Sequence, residues 1–370
     1  MGVVLQDPVD NGPVTVASSR RGRALLAAAG LLLVAGCTAR PPGSAATDVP
    51  HRSAPGVAEL GCPSSARVVG DHGGAVSSVG FNIEDDLLLS GGSLDGAIRI
   101  WDVATCTQHG PALRGPDATT LYRSVFSEDG SLIAGVDVAR SRIQVWDAAH
   151  GASVATLPVS GASGGLAFCN LSRLAIGVRD HIVFRDAVTG AEVAPPLGHP
   201  GKIQALAYNF NCTWLVSGSD NGTVVVWSLI HQPAERLATF TVPSAGSVVD
   251  VATTGAGDLV AAAGLDNRAI SLWRMPDATP VGSPVLLPGP ARSVAFSPDE
   301  QHLAAGSDDS LVLIDTITGA PLCPPAPYSS GSVAYHRTGR LAAAGTDGKV
   351  RVWENDDALT DCAAAAQAAV

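Results

Sequence analysis

Between residues 94 and 354 the chain repeats one short phrase seven times. Each copy has a turn, a run of alternating β-branched residues, and a bulky side chain followed by a polar one. The copies are "LDGAIRIWD" ending at Asp102, "RSRIQVWD" at Asp147, "RDHIVFRD" at Asp186 and "DNGTVVVWS" at Ser228. They continue as "DNRAISLWR" at Arg274, "DDSLVLID" at Asp315 and "DGKVRVWE" at Glu354. The intervals between these ends are 45, 39, 42, 46, 41 and 39 residues. Apolar residues within each copy alternate with period two, which suits half-buried strands and not helices. Two more strand-like runs precede each copy, such as "AVSSVGF" (75–81) and "DLLLSGG" (86–92) ahead of Trp101. A looser stretch follows, as in "AVTGAEVAPPLGH" (187–199), making four strands per unit, a to d. With 41 Gly and 25 Pro the chain is rich in turns, and an all-β fold is predicted.

The pattern resembles the WD-repeat (WD40) family over about residues 62–356. Trp101-Asp102 and Trp146-Asp147 keep its dipeptide, and Trp227, Trp273 and Trp353 keep its aromatic. His72 ("GDH") and His199 ("LGH") match its Gly-His position. The resemblance implies a seven-bladed β-propeller of four-stranded antiparallel blades. One such sheet cannot bury both its faces, so neighbours must stack, and closing the ring removes the exposed ends. The last unit lacks an obvious strand d after Glu354, and "ARVVG" (66–70) is expected to supply it. Phe184 stands in for the Trp of blade 3 and Ile314 for that of blade 6, while the blade 2 turn "VARSR" (138–142) has no acid. Blades 2, 3 and 6 should therefore lack the His–Asp–Ser–Trp hydrogen-bond network that the resemblance implies for well-kept repeats.

The N-terminus carries a second pattern. Arg20, Arg21 and Arg23 precede the apolar run 24–36, "ALLAAAGLLLVAG", which meets Cys37. Those 13 residues are too few to span a bilayer, which takes about 20, but they suit the apolar region of a signal peptide. "VAGC" (Val34–Cys37) looks like a bacterial lipobox, which implies cleavage before Cys37 and lipidation of its thiol. Residues 1–36 are then a lipoprotein signal peptide. Residues 37–61, rich in Pro, Ala, Ser and Gly, read as a flexible tether spanning roughly 30 Å. Residues 357–370 read as an Ala-rich tail. The expected location is the extracytoplasmic face of the cell membrane, with the lipid as the only membrane contact. The general secretory and twin-arginine routes both remain open.

Setting Cys37 aside leaves six cysteines, an even number that permits disulfides in an exported domain and is equally compatible with buried thiols. The propeller resemblance brings Cys62 and Cys362 to the two ends of the closure seam, and it puts Cys169 and Cys212 on one rim in neighbouring blades. These are the two candidate pairs.

The chain has a formal charge of −11, and its only lysines are Lys202 and Lys349. No basic tract exists to track a phosphate backbone, so a nucleic-acid partner is not expected. "GASGG" (Gly161–Gly165) fits the Gly-x-Ser-x-Gly pattern but lies in a predicted d–a loop with no helix after it, so it is not read as a nucleophile elbow. No histidine spacing suggests a metal site, and the paired acids fall at turns. Arg140, Arg142 and Arg179, in the b–c turns of blades 2 and 3, form a candidate basic patch for a carboxylate or phosphate of a partner. The expected function is a non-enzymatic, monomeric, membrane-anchored scaffold or sensory module that binds other proteins and uses no metal or cofactor. Two alternatives stay open: a catalytic or cofactor-binding propeller of quinoprotein or lactonase type, and a propeller binding cell wall or carbohydrate.

Overall fold

A computed structural model describes residues 66–354 apart from 83–85, 93–94, 116–120, 122 and 245. The signal peptide, Cys37, the tether, Cys62, Cys362 and the tail all lie outside the described residues.

The described residues form seven antiparallel sheets. The innermost strands, a, are Val76–Phe81, Ser124–Phe126, Ala162–Cys169, Ile203–Tyr208, Val248–Thr253, Ala291–Phe296 and Ser332–Tyr335. The third strands, c, carry the repeated phrase: Ala97–Asp102, Arg142–Asp147, His181–Asp186, Thr223–Ser228, Ala269–Arg274, Leu311–Asp315 and Lys349–Trp353. Each strand a touches those of the blades on either side, and the seventh touches the first, so the ring is closed. Seven apolar clusters lie between the blades. One, for example, joins Ala205 and Val216 of blade 4 to Val251 and Val260 of blade 5, and another joins Val350 and Val352 of blade 7 to Val76 and Leu88 of blade 1. A β-sheet needs both faces covered, and the ring does this without exposed ends.

The last blade is built from both ends of the described chain. Arg67–Asp71 pairs antiparallel with Lys349–Trp353 as its strand d, and Val69 is 2% exposed in the junction with blade 1. This is the closure that residues 66–70 were expected to make.

Strand d is uneven around the ring. It is continuous in blades 2, 3 and 4 (Ser153–Pro158, Glu192–Gly198, Glu235–Thr241) and split into two-residue pieces in blades 1 and 5. Blade 6 keeps three full strands, and its fourth is reduced to the bridges Leu311↔Ala326 and Ile314↔Pro321. Pro321, Pro324, Pro325 and Pro327 explain this, because proline has no N–H to give a ladder.

One expectation about the repeat is corrected. Register aligns Leu174↔Arg185 in blade 3 with Ile133↔Trp146 in blade 2, so the Trp position of blade 3 holds Arg185. The Arg185 guanidinium pairs with Glu192 at 2.9 Å. Phe184 sits one residue earlier and therefore on the opposite face of the strand. It packs towards blade 4 with Leu206 and Trp227, whereas Trp146 packs back onto blade 1.

Candidate functional site

The inner strands surround a channel with two mouths. At the end where they begin, the register slips at the same place in blades 1, 3, 4, 5 and 6, for example between Val76 and Ser78 and between Ile203 and Ala205. Such bulges turn the extra residue out of the ladder. Here Ser77, Gly164, Gln204, Val249 and Arg292 line a cavity of about 290 Å³. "GASGG" belongs to this bulged start of strand a, not to a loop. Ser163 is 2% exposed and its hydroxyl donates to the Gly177 carbonyl at 3.0 Å, an inert structural role.

The charged residues that line this cavity are paired. Arg123 of blade 2 reaches across the channel to Asp250 of blade 5. Arg292 donates from Nε and Nη2 to Asp308 at 3.0 and 2.8 Å.

A girdle links the same strands one residue further in. Ser124 N–H of blade 2 donates to Ser78 Oγ of blade 1 at 3.2 Å, and Val79 N–H to Ser332 Oγ of blade 7 at 3.0 Å. Val333 N–H donates to Ser293 Oγ of blade 6 at 3.2 Å, and Val294 N–H to Asp250 Oδ2 of blade 5 at 3.0 Å. The equivalent positions of blades 2, 3 and 4 hold Arg123, Gly165 and Ala205, and the girdle stops there. Between blades 3 and 4 a disulfide joins Cys169 to Cys212, with Cα atoms 5.7 Å apart. Cys106 and Cys323 are half-buried thiols.

Among the described residues, the complete His–Asp–Ser–Trp network occurs in blade 1 alone. Trp101 Nε1–H donates to Ser90 Oγ at 2.6 Å, and His72 Nε2 lies 2.6 Å from the same oxygen. Arg99 donates to His72 Nδ1 at 2.7 Å and pairs with Asp95, so the neutral ring carries its proton on Nε2. Burial, and next the Arg99 charge, push the His72 imidazole down to about 4. Blade 4 keeps part of the network: Trp227 Nε1–H donates to Ser217 Oγ at 2.9 Å, and Asn221 replaces the acid. His199 is buried beside it, and Gly201 N–H donates to its Nδ1 at 3.2 Å. The expectation named blades 2, 3 and 6 as lacking the network, and blades 5 and 7 join them. Ala262 and Ala343 stand where the serine would be, so Trp273 and Trp353 pack without that hydroxyl.

The family dipeptide acids have a local task. Asp102 accepts from Thr105 N–H at 2.8 Å and Asp147 from His150 N–H at 2.8 Å, each closing a c–d turn. Asp186 and Asp315 do the same for Thr189 and Thr318. A hydrogen bond from the Ser172 hydroxyl and then one from Thr189 N–H hold the Asp186 carboxyl down at about 2.

The candidate basic patch is partly neutralised. Asp137, just before the blade 2 turn, supplies the acid that 138–142 lack and accepts from Arg142 Nε at 3.0 Å. Arg140 Nη1 lies 3.9 Å from the same carboxylate, while Arg179 is exposed in the next blade.

The opposite mouth is aromatic. At one register position near the end of strand a stand Phe81, Phe126, Phe168, Tyr208, Phe296 and Tyr335 in six blades and Thr253 in blade 5. Together with the a–b turns they line two adjoining cavities of about 260 and 380 Å³, and both of these include Glu128 and Phe210. Phe210 is 72% exposed. Burial disfavours the charged forms of Asp129 and Asp299, yet hydrogen bonds from Ser127 and Ser297 outweigh it and hold both below the usual carboxylate range. Sequence reasoning missed this collar although its signal was present: in six of the seven blades an aromatic recurs one repeat period apart close to the a–b turn. Among the described residues, no group of three or more His, Cys, Asp or Glu could hold a metal.

Comparison with known proteins agrees with this architecture. The family "WD domain, G-beta repeat" matches residues 64–102, 193–228, 285–315 and 329–354. The first three matches begin in the outer strand of one blade and run through strand c of the next, so the repeat in sequence is staggered against the blade. The chain is 27% identical over 282 residues to WD repeat and SOCS box-containing protein 1 of Takifugu rubripes, covering 73% of this chain and 56% of that protein. It is 29% identical over 164 residues to ribosome biogenesis protein YTM1 of Yarrowia lipolytica, covering 44% and 26%. Telomerase protein component 1 of Rattus norvegicus is 26% identical over 286 residues, covering 75% and 10%. The chain thus spans about half or less of the length of these curated relatives.

Proposed function

This chain is a WD40-repeat β-propeller, and from that premise we propose that it is a lipid-anchored scaffold or sensory module that captures other proteins on the outer side of a cell membrane. The observation that carries the scaffold reading is the closed ring itself. Seven blades hold their turns in a fixed array, an extended surface of the kind that repeat proteins use to bind partners. The anchor rests on the sequence from Arg20 to Cys37. Of the six Trp residues, five lie buried at blade junctions and Trp214 is half-buried, which favours protein capture over a stacking platform for sugars.

Cell fractionation with the native chain and Cys37→Ser tests the anchor. The native chain should partition with membranes and carry lipid on Cys37, and the variant should lose both. A native chain that stays in the soluble interior fraction without acylation would sink this part of the proposal. Crosslinking in intact cells tests the scaffold: specific protein adducts should form, and replacing Arg140, Arg142 and Arg179 together with Ala should weaken those that use an acidic contact.

A further inference from the structure

The channel mouth at the ends of the inner strands has the makings of a binding site that the repeat itself does not require. Repeat packing accounts for the inward sides of the collar aromatics but not for Phe210, which lies beyond strand a in the blade 4 turn and is 72% exposed. Its backbone is nonetheless held, since Phe210 N–H donates to the Gly255 carbonyl of blade 5 at 3.3 Å. An exposed ring on an anchored backbone loses little freedom when a partner covers it.

Glu128 stands between the two cavities and borders both. It is half-buried, and among the described residues its carboxylate has no hydrogen bond or ion pair. The surrounding a–b turns add Asp129, Asp258, Asp299 and Glu300. Of the nearby cations, Arg340 is held by Glu354 and Asp86, and Arg337 already has an interaction of its own. The mouth therefore combines aromatic walls, one exposed phenyl ring and a carboxylate open to pairing, on a chain of net charge −11. Cations gain from aromatic faces and from a partly desolvated carboxylate together, and an arginine with an apolar neighbour satisfies both.

We propose that this mouth is a docking site for a basic segment of a partner protein, one that places Arg or Lys on Glu128 and an adjacent apolar side chain against Phe210. This deepens the scaffold reading and rests on it, naming the chemistry of the partner.

The full chain is titrated with three short fluorescein-labelled peptides of alternating Arg/Leu, Ser/Leu and Glu/Leu, read by fluorescence anisotropy. The Arg/Leu peptide should bind best and weaken with added salt. Phe210→Ala and Glu128→Gln should each weaken it by roughly tenfold. Glu128→Lys should transfer preference to the Glu/Leu peptide. Ile317→Ala, at a side chain 75% exposed elsewhere on the surface, should change nothing. Equal affinity for the Glu/Leu peptide would overturn the proposal, as would Arg/Leu binding indifferent to both substitutions or Phe210-dependent self-association seen by sedimentation. In-cell crosslinks that survive Phe210→Ala would leave the scaffold reading standing while this one falls, and loss of all crosslinks in the native chain would remove the scaffold reading instead.

Discussion

His72 joins three functions in one side chain: it holds Ser90, meets Arg99, and sits edge-on to Trp101 with ring centroids 6.0 Å apart. Its folded pKa of about 4 lies below the 6.5 of an unfolded histidine. The unfolded chain therefore binds the extra proton first, so stability rises with pH across that window and is lost as pH falls from about 6.5 towards 4. Burial shifts His199 in the same direction. Thermal melts between neutral pH and pH 4 should show this slope, and His72→Gln should flatten it; an unchanged slope in the variant would place the proton uptake elsewhere. The His and Trp positions were readable from the sequence because each belongs to a local phrase. The exchange of roles between Phe184 and Arg185 was not, since a one-residue shift along a strand moves a side chain to the opposite face.

The inner strand is the element on which both mouths depend. At four junctions its N–H groups are tied to the neighbouring blade by Ser78, Ser332, Ser293 and Asp250. The gap at blades 2 to 4 contains the Cys169–Cys212 disulfide and is spanned across the channel by Arg123 and Asp250. The disulfide closes a loop of 43 residues, worth roughly 3–4 kcal/mol on the chain-entropy view. Reducing it with a dithiol, which delivers two electrons and two protons, or replacing both cysteines with Ser should speed amide exchange in Ala162–Cys169 and Ile203–Tyr208. Exchange in Ala291–Phe296 and Ser332–Tyr335 should stay as it was. Equal acceleration around the ring would show that the disulfide acts on global stability alone. The propeller resemblance made this pair one of two candidates, but only the register of neighbouring blades put the two Cα atoms within bonding range.

At the scale of the molecule, closure decides whether seven sheets behave as one. Strand Arg67–Asp71 covers the junction of blades 7 and 1, and a Cβ on Gly70 would lie 2.5 Å from the Trp101 ring, so the contact is close. Val69 faces that junction and Val68 faces solvent with 43% exposure. Val69→Asp should cost roughly 3 kcal/mol or more by burying an unpaired charge, while Val68→Asp should cost less than about 1. Urea unfolding of the two variants makes the comparison. Similar losses in both would mean that the strand pairs without sealing the ring.

What the sequence determined unaided was the unit and its number: where strands alternate and where they turn. These follow from short-range rules of burial and turn chemistry, written again in every copy. Tertiary structure alone decided what the copies do to one another. It set which bulged residues line the channel, that Arg123 meets Asp250 from 127 positions away, and that Glu128 and Phe210 both border the two cavities at the aromatic mouth. The reason is geometric: each of these depends on the angular position of a blade in a closed ring, and no segment of the chain carries that information by itself.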